Sequence, residues 1–516
     1  MTHMYARDDS GESVPVRCND EGDLTISQVY SDKGAFGGIS TFSNVNRSTM
    51  KFTTGFINTD IYDTRTTNFG SVSVEGSSCK ITNDVNPGDF AEISSKKSVS
   101  YQSGVGVGCI FAGRFNAGVL GSEQTFGVGN TNAGLFFGYN GEDFGIMKRT
   151  DGKREIQSFQ VTTASSSTGT VDVELDGETF NILLTDASGD LNFTAYELAS
   201  GSYDGWDVMS RDDKVYFSKK DSGVCSGAFS YNAGTTSSAG TFTQTQLGVA
   251  KTEDWILQTA WNVDKLDGAG PSGMTLVPTN QNVYKIQYQW LGAGNMNFFV
   301  ENPENGQLNL VHKIKYPNSS TSVSLSDPNM KMIFTVRSLT STVALSAYIN
   351  SSAHQSEGNI AEYSFLAGSA INTLTNISAT TETAVLSIRN NFVSAYDLKC
   401  EGTVYLKKIS INSDSNKGIV FKIYKNASIG GFTTTDYPAW AVNNFNGIVD
   451  LDLNAITAGG TSSPLISIAV GKVGSKVIDI SDLKITLSRG ETASITAETS
   501  NSTNEITASL IYHEEV

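Results

Sequence analysis

From Tyr396 onward, apolar residues fall at every second position in one segment after another. The segments are EGTVYLKKISINS, KGIVFKIYKNASI, GIVDLDLNAI, PLISIAVGKVGSKVIDI, ETASITAETS and NEITASLIYHEEV. A period of two, carried by Val, Ile, Thr and Tyr, marks strands that bury one face of an antiparallel sheet. Six such strands with turn residues between them predict a β-sandwich or jelly roll over 394–516. The same alternation appears in NVYKIQYQW. Val283, Lys285, Gln287 and Gln289 share one parity there, and Tyr284, Ile286, Tyr288 and Trp290 share the other. The second set is assigned to a core.

Strands also follow quickly from Met50: Lys51 to Thr59, Ser71 to Val74, Ser98 to Gln102, Gly106 to Phe115, Gly134 to Tyr139 and Phe144 to Lys148. Tyr139-Asn140-Gly141 supplies a hairpin turn, because Asn and Gly tolerate positive φ. Between Thr168 and Phe242 the texture changes. The order there is VDVEL, an Asp-Gly turn, ETFNILL, a helix-like NFTAYELAS, DGWDVMS, KVYFSKK and GAFSYN. Two hairpins around one short helix predict a small α+β unit at 162–248, inserted into a first sandwich whose parts are 51–161 and 249–393. REIQSF before the unit and DWILQ after it read as sandwich strands. Residues 331–393 have few landmarks and could finish the first sandwich or begin the next. Residues 1–50 are a polar arm suited to attachment. The expected class is therefore mainly β: two sandwich or jelly-roll regions with a small α+β insertion.

Composition narrows the function. Fifty glycines, nine prolines and 10% aromatics in 516 residues describe an ordered, turn-rich chain. A net charge of −17, with no basic cluster interleaved with aromatics, disfavours nucleic acid as a partner. No apolar run reaches the roughly 20 residues of a membrane helix, and the N-terminus reads as lacking a signal peptide. Cys18, Cys79, Cys109, Cys225 and Cys400 are odd in number and widely spaced, so a disulfide framework is not expected. Four scattered histidines leave no zinc pattern, and no cofactor is expected.

Three sets of residues could carry chemistry. Glu174, Asp176 and Glu178 alternate along one strand, the spacing of paired carboxylates in a retaining glycosidase. They resemble the catalytic strand of laminarinase-like hydrolases, yet Asp176-Gly177 is a turn dipeptide that would end the strand between the acids. Asn262, Asp264 and Asp267 cluster oxygen ligands in a glycine-rich loop, but without the spacing of a calcium-binding EF-hand loop. Among aromatics, Phe432, Tyr437 and Trp440 lie in a loop of the C-terminal sandwich. They are the candidate binding residues, because Trp and Tyr dominate recognition hot spots; the alternative is that Tyr437-Pro438-Ala439-Trp440 caps the sandwich core.

Several long strings also resemble a known family. GLFFGYNGEDFGI, REIQSF, DWILQTAWNVDKLDGAGPSGMTL, VYKIQYQWLGAGNMNFFVENPENGQLNLVHKIKYPN and SLSDPNM occur in that order between Phe52 and Met330. They resemble a concanavalin-like sandwich module of virion structural proteins from marine bacteriophages and giant DNA viruses. The closing LSRGETASITAETSNSTNEITASLIYHEEV resembles the ends of viral fibre and spike proteins. The resemblance implies a non-enzymatic, tail fibre- or spike-like protein on the virion surface, assembled in the host cytoplasm. It would join other virion proteins through residues 1–50, form a homotrimer, and present its sandwiches to a host cell-surface glycan or protein. A capsid decoration protein and a glycan-degrading tailspike are the rival readings.

Overall fold

In the computed structural model, residues 44–99, 101–358, 366–375, 382–391, 402–414, 418–427, 437–442, 449–454, 456–457, 463–499 and 505–515 are described, with two short paired strands, Tyr5–Arg7 and Ser13–Pro15. The alternating segments become two β-sandwiches.

The first sandwich has a front sheet of seven strands. In spatial order these are Thr252–Leu257, Asp143–Thr150, Gly134–Asn140, Ser122–Gly129, Lys331–Ser338, Phe90–Ser95 and Tyr62–Thr67, every neighbour antiparallel. The back sheet runs Leu308–Ile314, Met296–Glu301, Asn282–Tyr288, Val107–Arg114, Ser346–Glu357, Ser78–Thr82 and Ser71–Glu75. Strand Asn44–Lys51 pairs with Ser346–Glu357, so the polar arm gives up its last residues to this sheet. The rest of the 1–50 attachment segment, the two short strands aside, lies outside the described residues.

Aromatic side chains of one parity fill the space between the sheets. Phe111 stacks on Tyr284 with ring centres 5.3 Å apart, and Phe115 on Phe126 at 4.3 Å. Tyr284, Ile286 and Tyr288 are all buried in this core, as their alternation predicts, and Trp290 packs at its edge. The predicted hairpin forms, with Gly141 and Glu142 as the residues between the paired Asn140 and Asp143. Gly141 takes φ +63°, where a side chain would be strained. Cys79 and Cys109 lie in the same core as free thiols, and burial pushes their ionisation upward. Cys18 and Cys400 lie outside the described residues.

The insertion contains every element its sequence predicts. Strands Gly169–Leu175 and Glu178–Leu184 form a hairpin, and the helix spans Leu191–Ala199. The Asp190 carboxylate caps that helix, accepting from the backbone N–H groups of Asn192 and Phe193. The boundary differs from the sequence reading. Strand Arg154–Thr163, which includes REIQSF, pairs with Lys214–Ser222 and Ala239–Gln246, not with any sandwich strand. Its Phe159 and Val161 pack into the insertion's own core. The ends of the unit meet where Lys153 and Val249 exchange backbone hydrogen bonds of 2.9 and 3.0 Å.

The segment 331–393 divides between the two sandwiches. Lys331–Ser338 and Ser346–Glu357 complete the first. Leu366–Thr375 and Thr383–Asn390 open the second, pairing with Glu505–Glu515 and Thr492–Thr499. The C-terminal sandwich thus begins well before 394. One of its sheets orders Leu366–Thr375, Glu505–Glu515, Thr403–Ser413 and Gly474–Asp479, and the other is centred on Thr383–Asn390 and Thr492–Thr499. Among the described residues, no helix is long and apolar enough to cross a membrane.

Candidate functional site

Strand alternation that buries one face must present the other. On Lys331–Ser338, Met332, Phe334 and Val336 enter the core, which leaves Lys331, Ile333, Thr335 and Arg337 on the outer face of the front sheet. Register then lines up side chains from separate strands. Arg65 lies opposite Glu92, Glu92 opposite Thr335, and Thr335 opposite Thr125. The Thr335 hydroxyl donates to the Glu92 carboxylate at 3.3 Å.

This outer face is concave. Three strands separate Lys331–Ser338 from the edge strand Thr252–Leu257. Even so, Arg337 reaches Glu123 on its neighbour at 2.9 Å and Glu253 on that edge strand at 3.4 Å. Arg149 joins the same carboxylate at 2.9 Å. Burial works to raise the Glu253 carboxyl, but Arg149, Lys251 and Arg337 outweigh it and hold the group below the usual range.

The other two units roof the concave face. Arg65 makes a two-pronged ion pair with Asp221 of the insertion, at 2.9 and 2.5 Å. Asp207, on insertion strand Trp206–Arg211, takes Arg154 at 3.0 Å and Arg489 of the C-terminal sandwich at 2.9 Å. Burial acts to raise Asp207, yet Arg489, Arg154 and, from further off, Lys220 lower it overall. Beneath these pairs is a cavity of about 510 Å³ lined by all three units. Its walls carry five cations, Arg65, Arg154, Lys220, Lys331 and Arg489, against three carboxylates, Asp63, Glu92 and Asp207. A second recess of about 380 Å³ adjoins it, sharing Arg65, Glu92 and Thr131. The volumes are those of a small-ligand site, for which roughly 300–1,000 Å³ is usual.

The residues singled out from sequence lie elsewhere. Tyr437 and Trp440 are 5% and 8% exposed, so they are not displayed for a partner. The Tyr437 hydroxyl donates to Asp190 at 2.9 Å, and its ring lies 5.0 Å from Phe193 of the insertion helix. The Arg389 guanidinium covers the Trp440 ring at 4.5 Å, and the Trp440 carbonyl accepts from Asp212 N–H. Both aromatics join the C-terminal sandwich to the insertion, a role invisible without knowing that the two units touch. Phe432 lies outside the described residues.

The alternating acids do not share one face of a continuous strand. Asp176 and Gly177 both take positive φ and turn the chain between Glu174 and Glu178. Asp176 pairs with Lys219 at 2.5 Å and caps Gly227 N–H, while Glu174 accepts from Ser230 at 2.5 Å on the exposed side of the hairpin. Glu174→Gln and Glu178→Gln should each change unfolding free energy by less than about 0.5 kcal/mol, as surface substitutions do. Denaturant unfolding checks this, and a larger loss would mean that the charge of these acids stabilises the hairpin. In the glycine-rich loop, Asp264 accepts from Leu266 and Ser272 N–H, and Asp267 from Ala269 N–H. Their oxygens close turns. No cluster of metal-ligating side chains occurs among the described residues.

No protein-family description and no curated protein matches the chain. Solved structures are similar at low level. A glycosyl hydrolase family protein from Mycobacterium fortuitum shares 8% identity over 60% of this chain and 99% of its own, with a TM-score of 0.28. Peanut lectin shares 11% over 61% and 97%, TM-score 0.22. Lectin II from Ulex europaeus shares 10% over 60% and 99%, TM-score 0.21. At these scores the likeness carries no argument about site or activity.

Proposed function

We propose that the protein is a non-catalytic, glycan-binding surface protein of a virus particle, and that it binds through the concave outer face of its first sandwich. The carrying observation is the cavity at the junction of the three units, where carboxylates and guanidiniums from separate strands converge. Such groups donate to and accept from sugar hydroxyls in fixed directions, and a concave rigid sheet holds them in place. The virion setting rests on the resemblance of the strings between Phe52 and Met330 and of the C-terminus to particle proteins. In that setting the arm at residues 1–50, whose last residues join the first sandwich, attaches the chain to its neighbours and the copies assemble as a trimer.

The test is titration of the full chain against oligosaccharides from host cell surfaces, with reducing ends assayed in parallel. Binding without release of reducing ends is expected, and Glu92→Ala should weaken it about tenfold, near 1.4 kcal/mol, without changing the melting temperature. Absence of binding to any saccharide overturns the reading, and steady release of reducing ends replaces it with that of a hydrolase. Light scattering that gives a monomer mass removes the trimer.

A further inference from the structure

We infer that the ligand of this cavity is an acidic saccharide, one that bears carboxylate or sulfate groups among its hydroxyls. The inference rests on the glycan reading above and specifies its chemistry. The chain as a whole carries −17, so a random patch of its surface would be acidic. The cavity reverses that sign, with five cations against three carboxylates, and a concave wall of low dielectric focuses such a field.

The cations are not equally engaged by the protein. Arg65 is held by Asp221, and Arg489 by Asp207. Lys331 stands 3.8 Å from Asp63, too far for a tight hydrogen bond. Lys220 acts on Asp207 only from a distance, with no salt bridge to a carboxylate among the described residues. Two ammonium groups thus face the same space with most of their donors available, and each could take an anionic oxygen.

The aromatic content points the same way. Trp206 is the one Trp or Tyr lining the cavity, and at 6% exposure it belongs to the insertion's core, so it offers no open ring for a sugar to stack on. A site without a stacking platform must gain its affinity from charge and hydrogen bonds. Glu92, whose described hydrogen-bond partner is Thr335, would accept from ligand hydroxyls. A simple inorganic anion would leave that carboxylate facing like charge. A polyhydroxylated anion satisfies both kinds of wall.

The experiment compares three probes by calorimetry on the full chain: a uronic-acid oligosaccharide, a sulfated oligosaccharide, and a neutral oligosaccharide of the same length. Inorganic polyphosphate is a fourth. At least one acidic saccharide should bind at least tenfold more tightly than the neutral one. That advantage should shrink as salt rises from about 50 to 500 mM, because exposed charge pairs are screened. Lys220→Gln with Lys331→Gln should abolish the acidic preference while the melting temperature stays within about 2 °C. Equal binding of neutral and acidic saccharides, or an acidic preference untouched by the double variant, overturns this inference and leaves the glycan reading standing. Tighter binding of polyphosphate than of any saccharide overturns the saccharide assignment. Binding of none of the four removes both readings.

Discussion

Asp450→Ala should lower the unfolding free energy by about 3–5 kcal/mol, the cost of leaving buried charge without its partner. Asp450 is 1% exposed. It accepts from Arg211 at 3.0 Å through one oxygen and from Arg389 at 2.8 Å through the other, with the Asn391 amide on the second oxygen as well. Arg211 belongs to the insertion and Arg389 to the C-terminal sandwich, so one carboxylate ties two units together. Burial lowers the Arg389 pKa overall, against the opposing pull of Asp450, so the guanidinium is already poorly solvated and depends on that carboxylate. The Arg389 Nη2 also donates to the Ser210 carbonyl at 2.7 Å. Removing the acid leaves two guanidiniums close together in a buried joint. Asp450→Asn should cost less, because the amide oxygen still accepts one bond. Chemical denaturation of the full chain measures both, and a loss below about 1 kcal/mol for the Ala variant would show that water fills the joint.

That joint also shows where sequence reading stops. Alternation located strands such as Val107–Arg114, Gly134–Asn140 and Asn282–Tyr288, because burial of one face is written in consecutive residues: Tyr284, Ile286 and Tyr288 could only point one way together. It missed Tyr62–Thr67, Phe90–Ser95 and Ser122–Gly129, and most of Lys51 to Thr59 and of Ser98 to Gln102, expected as strands, is turn or irregular chain. Local turn chemistry was equally legible, as Asp176-Gly177 and Asn140-Gly141 demonstrate. Partners across distance were not. REIQSF reads as a sandwich strand because its residues suit an extended chain, and strand character does not name the neighbouring strand. Tyr437 and Trp440 looked like exposed loop aromatics because nothing local reveals that the insertion helix covers them. The cavity was the least visible feature. Arg65, Glu92, Asp207 and Arg489 come from four separated segments and meet only through sheet register and the docking of two other units.

Asp452→Asn should stabilise the protein at pH 8 by up to about 4 kcal/mol and have almost no effect near pH 4. Asp452 lies two residues from Asp450 on the same strand and is 1% exposed. One oxygen accepts from the backbone N–H groups of Ala439 and Asn454 at 3.1 and 3.2 Å, and the other has no described partner. Burial pushes its carboxyl up to about 7, a shift that the two backbone donors and Arg389 only partly offset. The folded value therefore exceeds the unfolded value of about 3.9. Between those two pH values the folded state holds a proton that the unfolded chain has released, so stability falls as pH rises through the window. Above pH 7 the full cost is present: about three pKa units at roughly 1.4 kcal/mol each. Asp207 contributes the opposite slope, because its carboxyl is held low and its stabilisation is lost on acidification. The wild-type profile alone mixes these terms. The difference between wild type and Asp452→Asn isolates one of them, since Asn keeps an acceptor oxygen for Ala439 and Asn454 and never charges. Urea unfolding at pH 4, 6 and 8 should show that difference growing with pH, and a constant difference would mean that the Asp452 carboxyl is ionised in the folded state throughout. Asp452 shares the joint with Arg389, Asp450, Tyr437 and Tyr196, so the same titration should loosen the C-terminal sandwich from the insertion first, with faster amide exchange at Ala439 and Asp212 above pH 7.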